Sequence, residues 1–175
     1  LYTWLTPAAF MPLTILTFCM LNTGCSPSLA TLTPLPQDGV LDLSDFDFSG
    51  SKKAQINGEW LFAWETFVAP KPWEELKNLM PDRARVPARW QDLTHPDRPD
   101  QNLSGTGFAT YALKLRLKNK DPLTVEFPRI VGAVDIRVYC SNGLELARSN
   151  RGIPSSEAVN AIPVPNYSLF LTIPP

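Results

Sequence analysis

The chain has a single histidine, so any imidazole chemistry rests on His95. It lies in Thr94-His95-Pro96-Asp97-Arg98-Pro99-Asp100, a polar stretch with two prolines, inside a segment from Gln91 to Gly107 that reads as a long loop after Trp90. One histidine excludes a histidine-cluster metal site, and a serine-histidine-aspartate triad would depend wholly on it. Trp90, His95, Asp97, Arg98 and Asn102 suit noncovalent recognition better. A flat apolar ring beside carboxylate, amide and guanidinium groups is what a carbohydrate or another small polar molecule needs, and binding residues of β-sandwiches concentrate in loops. These residues are the expected ligand contacts. The plainer alternative makes His95 a solvated loop residue and Trp90 a core residue next to a variable loop.

Other chemically able residues carry less. Glycoside hydrolysis needs two carboxylates facing each other across a sugar, whereas Glu74 and Glu75 are neighbours whose side chains diverge on a helix. They read as first-turn charges. Asp42, Asp45 and Asp47 have a spacing that could supply oxygens to calcium, but they alternate with Leu41, Leu43, Phe46 and Phe48, as solvent-facing strand and turn positions do. Cys140 has no histidine or second cysteine near it in sequence and reads as an inert, small apolar residue. Nothing in the sequence calls for a metal or a cofactor.

Short strands must position these groups. Ala109, Tyr111, Leu113, Leu115 and Leu117 alternate with more polar residues from Ala109 to Lys118, the period of a strand with one face buried. Trp60, Phe62 and Trp64 share a face after Asn57-Gly58, a turn dipeptide. Further strands are expected at Leu123 to Phe127 and Val134 to Tyr139, and Ser141-Asn142-Gly143 turns the second into Leu144 to Ala147. One helix is expected after Lys71-Pro72, with Trp73, Leu76 and Met80 on one side, covering a sheet edge and ending at Pro81. Tyr167 to Ile173 reads as a last strand with no later segment to pair with, which implies a domain cut short at its C-terminus. This pattern gives an all-β fold, an antiparallel jelly roll or β-sandwich with one short helix.

The front end differs sharply in composition. The first charged side chain of the 175 residues is Asp38. Ala8 to Leu21 is an apolar run of signal-peptide length. It is shorter than the stretch of roughly 20 residues that spans a bilayer. Leu21-Asn22-Thr23-Gly24-Cys25 resembles the lipobox of bacterial lipoproteins, with Cys25 as the implied lipidation site, although Asn22 stands where an aliphatic residue is usual. Residues 26–37 are an uncharged Ser/Thr/Pro-rich segment and read as a linker. The expected organisation is a signal, lipobox-like or membrane-anchor segment at 1–25, the linker at 26–37 and a folded sensory domain at 38–175. This implies export, to the periplasmic or extracellular face of a bacterial cell membrane. Lys plus Arg is 16 against 17 for Asp plus Glu, and the basic residues are dispersed, so nucleic acid is excluded as a partner.

Five motifs in order carry a family resemblance: Gly39-Val40-Leu41-Asp42-Leu43, Asn57-Gly58-Glu59-Trp60, Val86-Pro87-Ala88-Arg89-Trp90, Gly107-Phe108-Ala109-Thr110-Tyr111 and Ser141-Asn142-Gly143. Across residues 39–165 they resemble the galactose-binding-like jelly roll at the front of bacterial receptors with seven transmembrane helices and diverse intracellular signalling modules. The resemblance implies a non-catalytic input domain outside the membrane, with a missing C-terminal region leading through the membrane to a cyclase, histidine kinase or phosphatase. A similar order of motifs occurs in the sugar-binding domain of glycoside hydrolases related to β-galactosidase. A lipobox is a departure from the receptor pattern and points toward a stand-alone lipoprotein.

Overall fold

The computed structural model describes residues 33–50, 52–118 and 121–175. The apolar run at 8–21, Cys25 and the linker before residue 33 lie outside the described residues. Those residues form β1 (Val40–Asp42), β2 (Gly58–Trp64), α1 (Trp73–Leu79), β3 (Asp82–Val86), β4 (Thr94–His95), β5 (Arg98–Asn102), β6 (Ala109–Ala112), β7 (Lys114–Arg116), β8 (Leu123–Gly132), β9 (Val134–Tyr139), β10 (Glu145–Arg151) and β11 (Val164–Ile173). The fold is all-β with one short helix. Its sheets are antiparallel, except that β1 and β7 run parallel. No helix among the described residues is long and apolar enough to cross a membrane.

The centre of the site-bearing half is β2, flanked by β3 and β6. Its sequence, GEWLFAW, is nearly continuous in apolar residues, as suits a strand covered on both faces. One face carries Phe62 and Trp64, joined by Ala84, Leu103, Trp90 and Tyr111. The other carries Leu61 and Ala63, joined by Met80, Val68, Trp73 and Leu76. The aromatic face expected from sequence is therefore only half of the packing. Trp60 is half-buried and donates its indole N–H to the Ile56 carbonyl at 2.8 Å.

Helix α1 lies over that second face rather than a sheet edge, because Trp73 and Leu76 reach Leu61 and Met80. Its first turn carries Glu74 and Glu75, where the unsatisfied N–H groups favour negative charge. Gly39 permits the close approach beneath it. Its φ is +71°, and a Cβ there would stand 2.7 Å from Leu61 Cγ and 3.1 Å from the Trp73 ring. Glycine alone enters that left-handed region without steric cost.

The alternating segment from Ala109 to Lys118 is not one strand. It breaks at Leu113, so that β6 pairs antiparallel with β2 while β7 pairs parallel with β1. The Lys114 N–H donates to the Gly39 carbonyl at 2.8 Å, which fixes the change of partner. The segment expected as a polar loop also has regular structure. After a 3-10 turn at Trp90–Asp92, β4 and β5 form a small hairpin whose tip is Pro96-Asp97. The expected last strand does have a partner, β8, which precedes it in the chain and pairs Leu171 with Val125. Leu169, Leu171 and Ile173 are buried there.

Ionic contacts tie the turn before β1 to α1 and β3 through Asp38. Its carboxylate meets Lys77 at 2.9 Å and Arg83 at 2.5 Å, and its backbone N–H donates to Glu59 at 2.8 Å. Hydrogen bonds from Lys77 and then Arg83 hold the Asp38 carboxyl below its ordinary value of 3.8. Lys52, with the Ser49 N–H and hydroxyl, lowers Asp47 to about 2. A carboxyl with a depressed folded-state pKa stabilises the fold above its unfolded value and loses that contribution as pH falls through the folded value. The melting temperature is therefore expected to fall between pH 3.8 and about 2, with a smaller fall in Asp38→Asn. Identical acid profiles for the two proteins would contradict the role given to Asp38.

Candidate functional site

Three pieces of chain meet at one end of the β3-β2-β6 sheet: the end of β2, the entry to β3, and the tip of the β4-β5 hairpin. Between them lies a cleft of about 290 Å³, lined by Ala63, Trp64, Glu65, Thr66, Leu79, Pro81, Asp82, His95, Pro96 and Asp97. Its size suits a small molecule.

The chain leaving β2 is held in an unusual shape. Glu65 has a φ of +48°. This left-handed conformation is uncommon for a residue other than glycine, and it persists where the surroundings over-determine it. Here the Glu65 N–H donates to the Phe108 carbonyl at 2.9 Å. Thr110 completes the clamp: its hydroxyl donates to the Thr66 carbonyl at 2.7 Å and accepts the Val68 N–H at 3.0 Å. Across the cleft, the Arg83 guanidinium donates to the carbonyls of Met80, Pro81 and Asp82 at 3.0, 2.9 and 2.8 Å, fixing the corner that presents Asp82.

His95 is buried, with 7% of its surface exposed. It is thus no solvated loop residue. The Asp97 backbone N–H donates to its Nδ1 at 3.1 Å. An imidazole that accepts at Nδ1 carries its proton at Nε2 when neutral, so Nε2–H is its donor. That group has no hydrogen-bond partner among the described residues, and it is not sealed from solvent. The arrangement is the reverse of a catalytic dyad, in which Nδ1–H donates to a carboxylate.

Glu65, Asp82 and Asp97 are the acidic residues of the lining. They form no ion pair with any described residue. The Thr66 hydroxyl donates to the Trp64 carbonyl at 3.1 Å.

Of the residues singled out in the sequence, His95 and Asp97 line this cleft. Trp90 stands behind it. Its ring meets Trp64 edge-on, with centroids 5.0 Å apart, and its indole N–H donates to the Tyr111 hydroxyl at 2.8 Å. Burial raises the pKa of that hydroxyl despite the hydrogen bond from Trp90. Trp90 therefore supports the wall of the cleft from the core side. Arg98 and Asn102 are exposed on β5, outside the lining.

Sequence reasoning misses Trp64, Glu65, Thr66 and Asp82 as ligand contacts. Trp64 ends β2 and Asp82 begins β3, and only the antiparallel pairing of those strands brings them to one end of the sheet. The positive φ of Glu65 has no composition signal either, since glycine or asparagine would be the usual mark of it.

The acidic residues near β1 are committed elsewhere. The Ser44 N–H donates to Asp42 at 3.0 Å, the Ser49 N–H donates to Asp47 at 2.9 Å, and Lys118 meets Asp45 at 2.8 Å. No cluster among the described residues could hold a metal ion. Cys140 is a free, half-buried thiol that hydrogen-bonds to Asn142 within the β9-β10 turn. No protein-family model, curated protein or solved structure matches the chain.

Proposed function

We propose that residues 38–175 are a non-catalytic, ligand-sensing input domain on the outer side of a bacterial cell membrane, part of a membrane signalling protein. The observation that carries the reading is the cleft at the end of the sheet, in which a buried histidine keeps one free donor beside an aromatic wall and several carboxylates. Such a constellation can orient a small molecule by hydrogen bonds. The uncharged, apolar front end supports delivery to and tethering at the membrane, and the motif order supports the sensor class.

The test is a metabolite and glycan array against the full chain in detergent. At least one compound is expected to bind saturably, to come off unchanged, and to raise the melting temperature by mass action. His95→Gln, which keeps a polar side chain of similar length, is expected to weaken that binding at least tenfold. Conversion of the bound compound to product would contradict the non-catalytic reading. Full affinity in His95→Gln would contradict the site.

A further inference from the structure

The chain contains two Asn-X-Ser/Thr triplets in which X is not proline, Asn102-Leu103-Ser104 and Asn166-Tyr167-Ser168. Such a triplet is the acceptor for N-linked glycosylation, and in an exported protein it is usable where it reaches the surface. The fold treats the two very differently.

Asn102 is the last residue of β5, and all of that strand is exposed. Leu103 turns the other way. It is buried in the cluster with Phe62 and Ala84, and its N–H donates to the Leu93 carbonyl at 2.9 Å. Because neighbouring residues of an extended chain face opposite sides, that anchor sends Asn102 and Ser104 outward together, and both are exposed. Ser104 opens the stretch Ser104-Gly105-Thr106-Gly107, exposed throughout, and its hydroxyl bonds to Thr106 within it. Asp100, exposed two places before Asn102, adds a charged group that an enzyme can grip beside the acceptor. Asn102 also lies outside the cleft lining, so a bulky group on it leaves that site open.

The position of Asn166 opposes such use. It lies inside β11, a strand of 10 residues whose pairing with β8 continues before and after it, from Val164 with Gly132 to Tyr167 with Ile130. The Ser168 hydroxyl donates to the Pro128 carbonyl at 2.8 Å, so the group a transferase must recognise is already engaged.

We infer that Asn102 is an N-glycan acceptor in the exported, folded chain and that Asn166 is not. The donor is an oligosaccharide carried on a lipid pyrophosphate. The reaction joins the Asn102 side-chain nitrogen to the anomeric carbon of the first sugar and breaks the bond from that carbon to the pyrophosphate oxygen. The lipid pyrophosphate leaves with the electron pair, and the amide nitrogen gives up one proton. β5 has no second partner strand among the described residues, so hydrophilic bulk at its end also shields an open edge from pairing with another chain. The inference rests on export and is independent of what the cleft binds.

The test is expression of the full chain in a bacterial host that supplies an oligosaccharyltransferase and its lipid-linked oligosaccharide. Exported and cytoplasmic fractions are separated, digested and mapped by mass spectrometry. The glycan mass is expected on the Asn102 peptide about tenfold more often than on the Asn166 peptide, because the end of an exposed hairpin opens at lower free energy than a long paired strand. Asn102→Gln and Ser104→Ala are each expected to abolish it with little change in melting temperature, while Asn166→Gln leaves it in place. Exported chain without sugar at Asn102 would overturn the inference and leave export standing. Equal occupancy of the two asparagines would overturn the selection by the fold. Chain retained wholly in the cytoplasm would overturn export and the inference together.

Discussion

Leu61→Ala is expected to destabilise the domain by about 3–5 kcal/mol, the upper range for a leucine removed from a core that cannot collapse around the gap. Leu61 has no exposed surface. Gly39 approaches it from the turn before β1 and the Trp73 ring from α1, so its side chain joins three elements rather than one. Two of those neighbours have little freedom to close in. Gly39 has no side chain to offer, and Trp73 is fixed by its place at the start of the helix. A loss of this size is a large fraction of the about 5–15 kcal/mol that holds a typical domain together. Chemical denaturation of the full chain measures it, with Phe170→Ala as a comparison. Phe170 is 60% exposed on β11 and should cost far less. Similar losses for the two would mean that helix α1 does not close the face of β2.

The second large effect couples stability to binding. Gly107→Ala would place a Cβ 2.5 Å from Trp64 Cη2 and 2.7 Å from its Cζ2. Trp64 has little room to retreat, since Phe62 stacks at 6.3 Å and Trp90 meets it edge-on at 5.0 Å. Overpacking of this kind costs about 1–3 kcal/mol. Because Trp64 is a wall of the cleft, its displacement is also expected to weaken ligand binding at least tenfold, with the protein still folded at room temperature. Melting temperature and affinity, measured on the same preparation, check both halves. A variant that loses stability but keeps its affinity would remove Trp64 from the binding surface.

Some elements are legible in the sequence because local chemistry and tertiary packing agree on them. The helix has its proline entry, acidic first turn and apolar side within a few residues, and it forms at Trp73–Leu79. Strand β9 occupies Val134–Tyr139 as its alternation implies, and Gly143, at φ +87°, turns it into β10. Other elements depend on partners distant in sequence. The break at Leu113 leaves no trace in the alternation from Ala109 to Lys118, because the same period serves both sheets and only the approach of Gly39 divides them. The β4-β5 hairpin is hidden for the opposite reason. Its prolines and polar side chains suppress the strand pattern, and all of β5 is exposed. The cleft is half visible. His95 and Asp97 stand out as the sole histidine and a residue two places on, whereas Glu65 and Asp82 come to line the same cleft only through strand pairing.

The presence of one histidine gives the account its most direct measurement, since an imidazole signal in this chain can come from no other residue. With ¹⁵N-labelled full chain in detergent, the Nε2 resonance is recorded while the tightest binder from the array is titrated. A shift in that resonance which saturates together with the binding curve is the predicted result. Saturable binding that leaves the imidazole unmoved, while changes gather around β8 and β11, would place recognition elsewhere and contradict the account.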